Sequence, residues 1–182
     1  MTGTFSNPAG GAKEAAVGYT RALLDLLGDR DPILVQAELP DALERAVAGL
    51  SDAQLRRPEK TGKWSIIEVV QHLADSEIVY GYRIRLILAA ETPEIVGYDQ
   101  DAWARRLRYV NTSLPDALAQ VRILRSRGLD LLRSLTPEEW DRAGMHTERG
   151  RESVRHITRL LAAHDLVHLR QIERIKSAIR AA

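Results

Sequence analysis

Apolar residues recur three and four positions apart through most of this 182-residue chain, the spacing of a single buried stripe on an α-helix. The clearest case is the closing segment, 151-RESVRHITRLLAAHDLVHLRQIERIKSAIRAA, whose stripe runs Val154, Ile157, Leu161, His164, His168, Ile172, Ile175 and Ile179. A second long stripe, Ile66, Val69, Leu73, Ser76 and Tyr80, lies in 65-SIIEVVQHLADSEIVYGYRIRLILAA, with His72 on the same face. Ser65-Ile66-Ile67-Glu68 matches a capping box, so this helix is predicted to start at Ser65 and to end near Ala90, before Glu91-Thr92-Pro93. Pro115 suits the first turn of a third helix, PDALAQVRILRSRGLDLLRSL. A fourth pattern, 32-PILVQAELPDALERAVAGL, contains Pro40, where the missing amide and the ring predict a kink or break.

Shorter signals fill the intervals. A helix is predicted over 13–27, stopped by Gly28, and further helical turns are predicted after Ser51 and from Thr136-Pro137-Glu138-Glu139. The first 12 residues are rich in Gly, Ser and Asn and read as frayed. From Pro93 to about Leu114 runs a connection long enough to cover a functional end of the molecule. No segment alternates as a strand would. The pattern therefore predicts an all-α protein, a four-helix bundle with a long crossover connection, occupying residues 31–182 behind a partly helical N-terminal extension over 1–30.

Three imidazoles stand where this pattern calls for leucine. His164 and His168, four apart on one helix face, can both reach one ion, and His72 brings a third ring from another helix. Taken alone, His72 fits a core imidazole bonded to a neighbour; the coincidence of three favours a metal. Three neutral imidazoles suit zinc or nickel and leave one coordination position open, as catalytic sites do. Asp75 and Ser76, at i+3 and i+4 from His72, are candidates to fix a ring or a water, and Asp75 is also a candidate base. Tyr98, Asp99 and Asp101 are candidates to line the open end of the bundle, with plain loop solvation the other reading. Trp64 and Trp103 read as packing anchors, His156 as a surface residue, and His146, in a loop with Glu148, Arg149 and Arg151, as solvated, with a place at a site mouth the lesser alternative. The sequence HDLVH puts Asp165 where a zincin protease carries its glutamate, one methylene short, which argues against that chemistry.

Composition narrows the classes. There is no cysteine, so any thiol chemistry needs a thiol brought by a substrate. The net charge is +1, yet residues 1–101 carry 10 basic and 16 acidic groups and residues 102–182 carry 16 and 9. The arginines are scattered around helices and aromatic residues are few, so the two halves are expected to pair with each other and not with nucleic acid. No apolar run approaches the roughly 18 residues of a membrane span, and the first residues lack a signal peptide's pattern, so a cytoplasmic location without membrane contact is expected.

The segments GKWSIIEVVQHLADSE, GYDQDAWA, HTERGRES and AAHDLVHLRQI, in that order, resemble the DinB/YfiT-like superfamily, most closely its YfiT-like branch, over roughly residues 33–180. The resemblance implies a four-helix bundle with a long crossover, often dimeric, with a three-histidine metal site that carries over to His72, His164 and His168. It also implies an activity among those described for the family: metal-dependent hydrolysis, low-molecular-weight thiol S-transfer and mycothiol-dependent isomerisation. The leading expectation is a thiol S-transferase, in which the metal activates a small-molecule thiol against an electrophile. A metal-dependent hydrolase using a metal-bound water is the first alternative, and a non-catalytic metal-binding or dimerisation module the second.

Overall fold

The computed structural model describes residues 13–180, so the reading of residues 1–12 as a frayed extension lies outside the described residues. Helix α1 spans Lys13–Leu27, α2 Pro32–Val47, α3 Asp52–Arg56 and α4 Ile66–Ala89. After α4 come a two-residue strand, β1 (Glu94–Ile95), helix α5 (Gln100–Arg106) and a short 3-10 turn, Tyr109–Asn111. Helices α6 (Leu114–Arg133) and α7 (Pro137–Asp141) follow, then strands β2 (Ala143–His146) and β3 (Gly150–Ser153) and the long α8 (Val154–Arg180).

The local signals act as expected at most boundaries. Asp31 accepts from the Ile33 amide at 2.8 Å, and Pro32 fills the first helical position of α2, where no amide donor is needed. At the start of α4, Glu68 reaches back to accept from the Ser65 amide at 2.8 Å and from its hydroxyl at 2.7 Å. Pro40, by contrast, does not break α2, which runs on to Val47. The residue denies a helical donor to the Gln36 carbonyl, and the Arg125 guanidinium supplies one instead, at 3.2 Å.

Four helices form the bundle: α2 packs on α8 and α6, and α4 packs on the same two. Helices α2 and α4 are therefore diagonal to each other, as are α6 and α8, whereas α4 and α6 pack side by side. Leu39, Leu43, Ile66, Val69, Val70, Leu73, Val121, Ile172 and Ile175 close one end of the core, where the first half of α4 meets the last half of α8. Ile84, Ile87, Ile95, Leu132, Val154 and Ile157 close the other. Because both α4 and α6 point from the first end to the second, the crossover must travel back along α4, whose 24 residues span about 36 Å. Helix α1 lies against α8 through Leu23, Leu27, Leu160, Ala163 and Val167.

Between the two apolar ends lies a polar layer of His72, Ser76, Glu77, Arg125, His164, Asp165 and His168, all buried. Arg125 pairs with Asp165 at 2.6 Å through Nη1 and donates from Nε to Glu77 at 2.9 Å, uniting α4, α6 and α8. Arginine is suited to this, since its planar fork satisfies two carboxylates and a carbonyl at once.

The expectation of a strand-free chain is corrected at the second end. Strands β1, β2 and β3 form a small sheet in that order, β1 parallel to β2 and β2 antiparallel to β3, with Ile95 opposite His146 and Gly144 opposite Glu152. A Cβ on Gly144 would lie 2.7 Å from the Pro93 carbonyl oxygen and 2.8 Å from the Ile95 side chain, so only glycine lets the strands approach. Arg142 fastens the sheet to the bundle by donating to the carbonyls of Ile87 and Ala90 at the end of α4, at 3.1 and 2.7 Å.

Candidate metal centre

The two stripe positions of α8 and the one on α4 meet in the polar layer. His72 Nε2 lies 3.0 Å from His164 Nε2, and His168 Nε2 lies 3.1 Å from the same atom. All three rings are buried, at 1, 6 and 7 % exposure for His72, His164 and His168. Hydrogen bonding among the rings does not account for this arrangement. His168 Nδ1 stands 2.7 Å from the Gln171 side-chain oxygen, which only accepts, so the Nδ1 carries the proton and Nε2 is a bare acceptor. His72 Nδ1 and His164 Nδ1 are buried with no hydrogen-bond partner among the described residues. One divalent ion satisfies the three converging Nε2 atoms together: nitrogen–metal distances of about 2.0–2.1 Å place tetrahedral ligands about 3.3 Å apart. The residues fit such an ion.

Electrostatics keep the rings in the form that ligation needs. Burial, followed by the charges of the neighbouring rings, holds His72 and His164 well below the ordinary imidazole range. Burial likewise lowers His168 to about 4. Around the cluster, the Trp64 ring centre lies 5.0 Å from that of His72 and the Tyr80 ring 6.0 Å from that of His164. The Ser76 hydroxyl donates to the His72 carbonyl at 2.7 Å, so it braces α4 and does not touch the ring.

Asp75 faces elsewhere. Its carboxylate accepts from the Tyr109 hydroxyl at 2.6 Å and from Gln71 at 2.9 Å, tying α4 to the crossover, and none of its hydrogen bonds reaches an imidazole. Asp165 also points away from the cluster, onto Arg125, because adjacent helix positions differ by about 100° in direction. The zincin-like reading of HDLVH fails on this geometry.

A cavity of about 150 Å³ adjoins His164. Its walls come from α1 (Tyr19), α4 (Tyr80, Arg83), the crossover (Gly97, Tyr98, Asp99) and the β2–β3 turn (Glu148, Arg149). Burial raises Tyr19 and Tyr80 above the ordinary phenol range and pushes Tyr98 up to about 12, so these hydroxyls keep their protons. Tyr98 and Asp99 line this cavity on the flank of the polar layer, since both ends of the bundle are closed by apolar side chains. Asp101 is exposed and does not line the cavity, and Asp99 is engaged in accepting from the Ala102 amide at 2.9 Å.

Two features escaped sequence reasoning. His146, expected in solvent, is 3 % exposed on β2; its Nδ1 accepts from the Glu148 amide at 3.1 Å, and burial, aided by Arg149, lowers it to about 4. Arg83, an unremarked helix residue, is a buried cavity wall. His156 is half-buried and lies outside the cluster.

Comparison with known proteins agrees with this geometry. The profile of the DinB superfamily matches residues 37–172. YfiT from Bacillus subtilis is 38% identical over 117 residues, covering 64% of this chain and 65% of that protein. A relative from Oceanobacillus iheyensis is 33% identical over 135 residues, covering 74% of this chain and 78% of the relative. Both are named, provisionally, as metal-dependent hydrolases. The solved structure of Bacillus subtilis YfiT, described as a probable metal-dependent hydrolase with an unusual four-helix bundle topology, superposes with a TM-score of 0.76 at 27% identity, covering 98% of this chain and 95% of that one. With most of its length matched by the family profile and its bundle shared with YfiT, this chain belongs to the DinB superfamily, on its YfiT-like branch.

Proposed function

We propose that the protein is a metal-dependent hydrolase of small molecules whose ion is held by Nε2 of His72, His164 and His168. The convergence of those atoms, with two gaps of 3.0 and 3.1 Å around His164 Nε2, carries the reading. Zinc or nickel suits a set of imidazole nitrogens, and such an ion supplies Lewis acidity at an open position. The residues of the chain do the rest. Gln171 fixes the tautomer of His168, and Trp64 and Tyr80 shield the rings from bulk water. The protonated phenols of Tyr19, Tyr80 and Tyr98 offer donors to a polarised oxygen of the substrate. Glu148, half-buried in the cavity wall, is better placed than Asp75 to accept a proton from water there, because Asp75 is bound up with Tyr109 and Gln71.

The thiol S-transferase expected from the family resemblance takes second place, since the relatives compared carry the hydrolase name. The test begins with elemental analysis of the purified protein and proceeds to chromogenic esters and amides, with and without a panel of low-molecular-weight thiols. Hydrolysis that needs the metal, is inhibited by thiols and is lost in His168→Ala supports the proposal. Turnover that occurs only with a thiol, with no hydrolysis, overturns it in favour of transfer. Metal that is required for folding while no substrate of either kind turns over identifies a structural staple.

A further inference from the structure

Arg83 is 5 % exposed, and its charge meets no carboxylate among the described residues. Of its five donors, one is used on the Val96 carbonyl oxygen at 2.8 Å. The Tyr80 ring lies beneath it, 5.7 Å from the guanidinium carbon. A buried guanidinium without a counter-charge is expensive, and the arginines nearest the cluster and the cavity are paired: Arg125 with Glu77 and Asp165, Arg149 with Glu152. Arg83 lines the cavity as Arg149 does, but unlike Arg149 and Arg125 it has no acid partner among the described residues.

We propose that the cavity beside His164 is a subsite for an oxyanion, a carboxylate or phosphate group of a small substrate, which Arg83 binds directly and which supplies the counter-charge that no carboxylate among the described residues provides. Three observations converge. The positive charge is deep, whereas the acidic walls are shallower: Asp99 is exposed and already accepts from Ala102, and Glu148 is half-buried beside Gly97. Arg149, held by Glu152 at 2.6 and 3.0 Å, adds its donors to the same wall. The volume of about 150 Å³ has room for an oxyanion group next to His164. The subsite deepens the hydrolase reading by naming the substrate class, small anionic molecules, yet its existence does not depend on which reaction occurs.

Calorimetric titration of the metal-loaded protein with inorganic phosphate and, separately, acetate at constant ionic strength tests the subsite without any turnover. Wild type should bind one or both, and the stronger of the two identifies the group. Arg83→Gln should weaken that binding by roughly ten- to a hundredfold while retaining its metal, and Arg83→Lys should recover part of it. His72→Ala, with its metal content lowered, should keep an Arg83-dependent share. Should Arg83→Gln bind as wild type while His72→Ala loses all binding, the anion sits on the ion and the proposal is wrong. Absence of binding in wild type at millimolar anion also overturns it. A failure to hydrolyse any ester would leave these titrations unchanged, so the two readings fail separately.

Discussion

Gln171 sits one turn beyond His168 on α8, its side-chain oxygen 2.7 Å from the ring Nδ1. That contact directs the proton to Nδ1 and turns the Nε2 lone pair toward His72 and His164. Gln171→Leu should therefore weaken metal binding by about ten- to a hundredfold in chelator competition, with the helix intact by circular dichroism. Gln171→Glu, which keeps the acceptor, should stay near wild type. Equal affinity in all three proteins would show that the contact does not orient the ligand.

The ion count follows from the same geometry. Wild type should carry about one divalent ion per chain, and His72→Ala, His164→Ala and His168→Ala should each lower that content sharply. His156→Ala is the control and should leave it unchanged, since its ring lies outside the cluster. Full occupancy in His72→Ala would rule out a site shared between α4 and α8.

Acid should weaken the metal-free fold in a defined window. In the folded protein the cluster rings resist protonation, His168 down to about 4, whereas in the unfolded chain they titrate near 6.5. The unfolded state thus binds more protons between those values, so stability is full above about pH 7 and declines as the pH falls toward 4. Urea midpoints measured at pH 7.5, 6 and 5 should fall in that order, with a shallower fall in His168→Ala. A flat series would mean that the rings titrate normally.

Removing Arg125 should be more damaging than removing either acid. Burial, opposed by Arg125, raises Asp165 above the ordinary carboxylate range, so its charge is held less firmly than that of a solvated aspartate. Asp165→Asn should therefore cost little at pH 7. Arg125→Met leaves two buried acids and takes away the donor to the Gln36 carbonyl that Pro40 cannot supply, a loss of about 3–5 kcal/mol. Thermal unfolding of the two variants side by side decides the order; a larger loss for Asp165→Asn would contradict it.

The bundle and the imidazole cluster were legible because each rests on a periodic signal. His164 and His168 interrupt a stripe that runs for many turns, and Ser65 with Glu68 announces a helix start through contacts three residues apart. The sheet was not, since strands of two and four residues are too short to alternate, and Gly144 and His146 look like loop residues until β1 and β3 pair beside them. Arg125 looks like one more solvated arginine in RILRSRG, because its acids lie 48 and 40 residues away. Arg83 is hidden for the same reason, its burial depending on the Val96 carbonyl and on chain that folds over it later. Pro40 was read correctly as a lost donor, but the compensating guanidinium comes from another helix.

The diagonal placement of α2 and α4, and of α6 and α8, also bears on how the chain comes to be folded. As the protein leaves the ribosome, α2 and α4 emerge with their apolar stripes facing partners not yet made, since each packs on α6 and α8. Ile66, Val69 and Leu73 wait on Ile172 and Ile175, about a hundred residues later. Neither half of the chain holds a complete pair of neighbouring bundle helices, so this architecture does not come apart into two smaller ones. Its metal ligands sit across that same divide, His72 in the first half and His164 and His168 in the second, and the site comes into being only when the whole chain has closed.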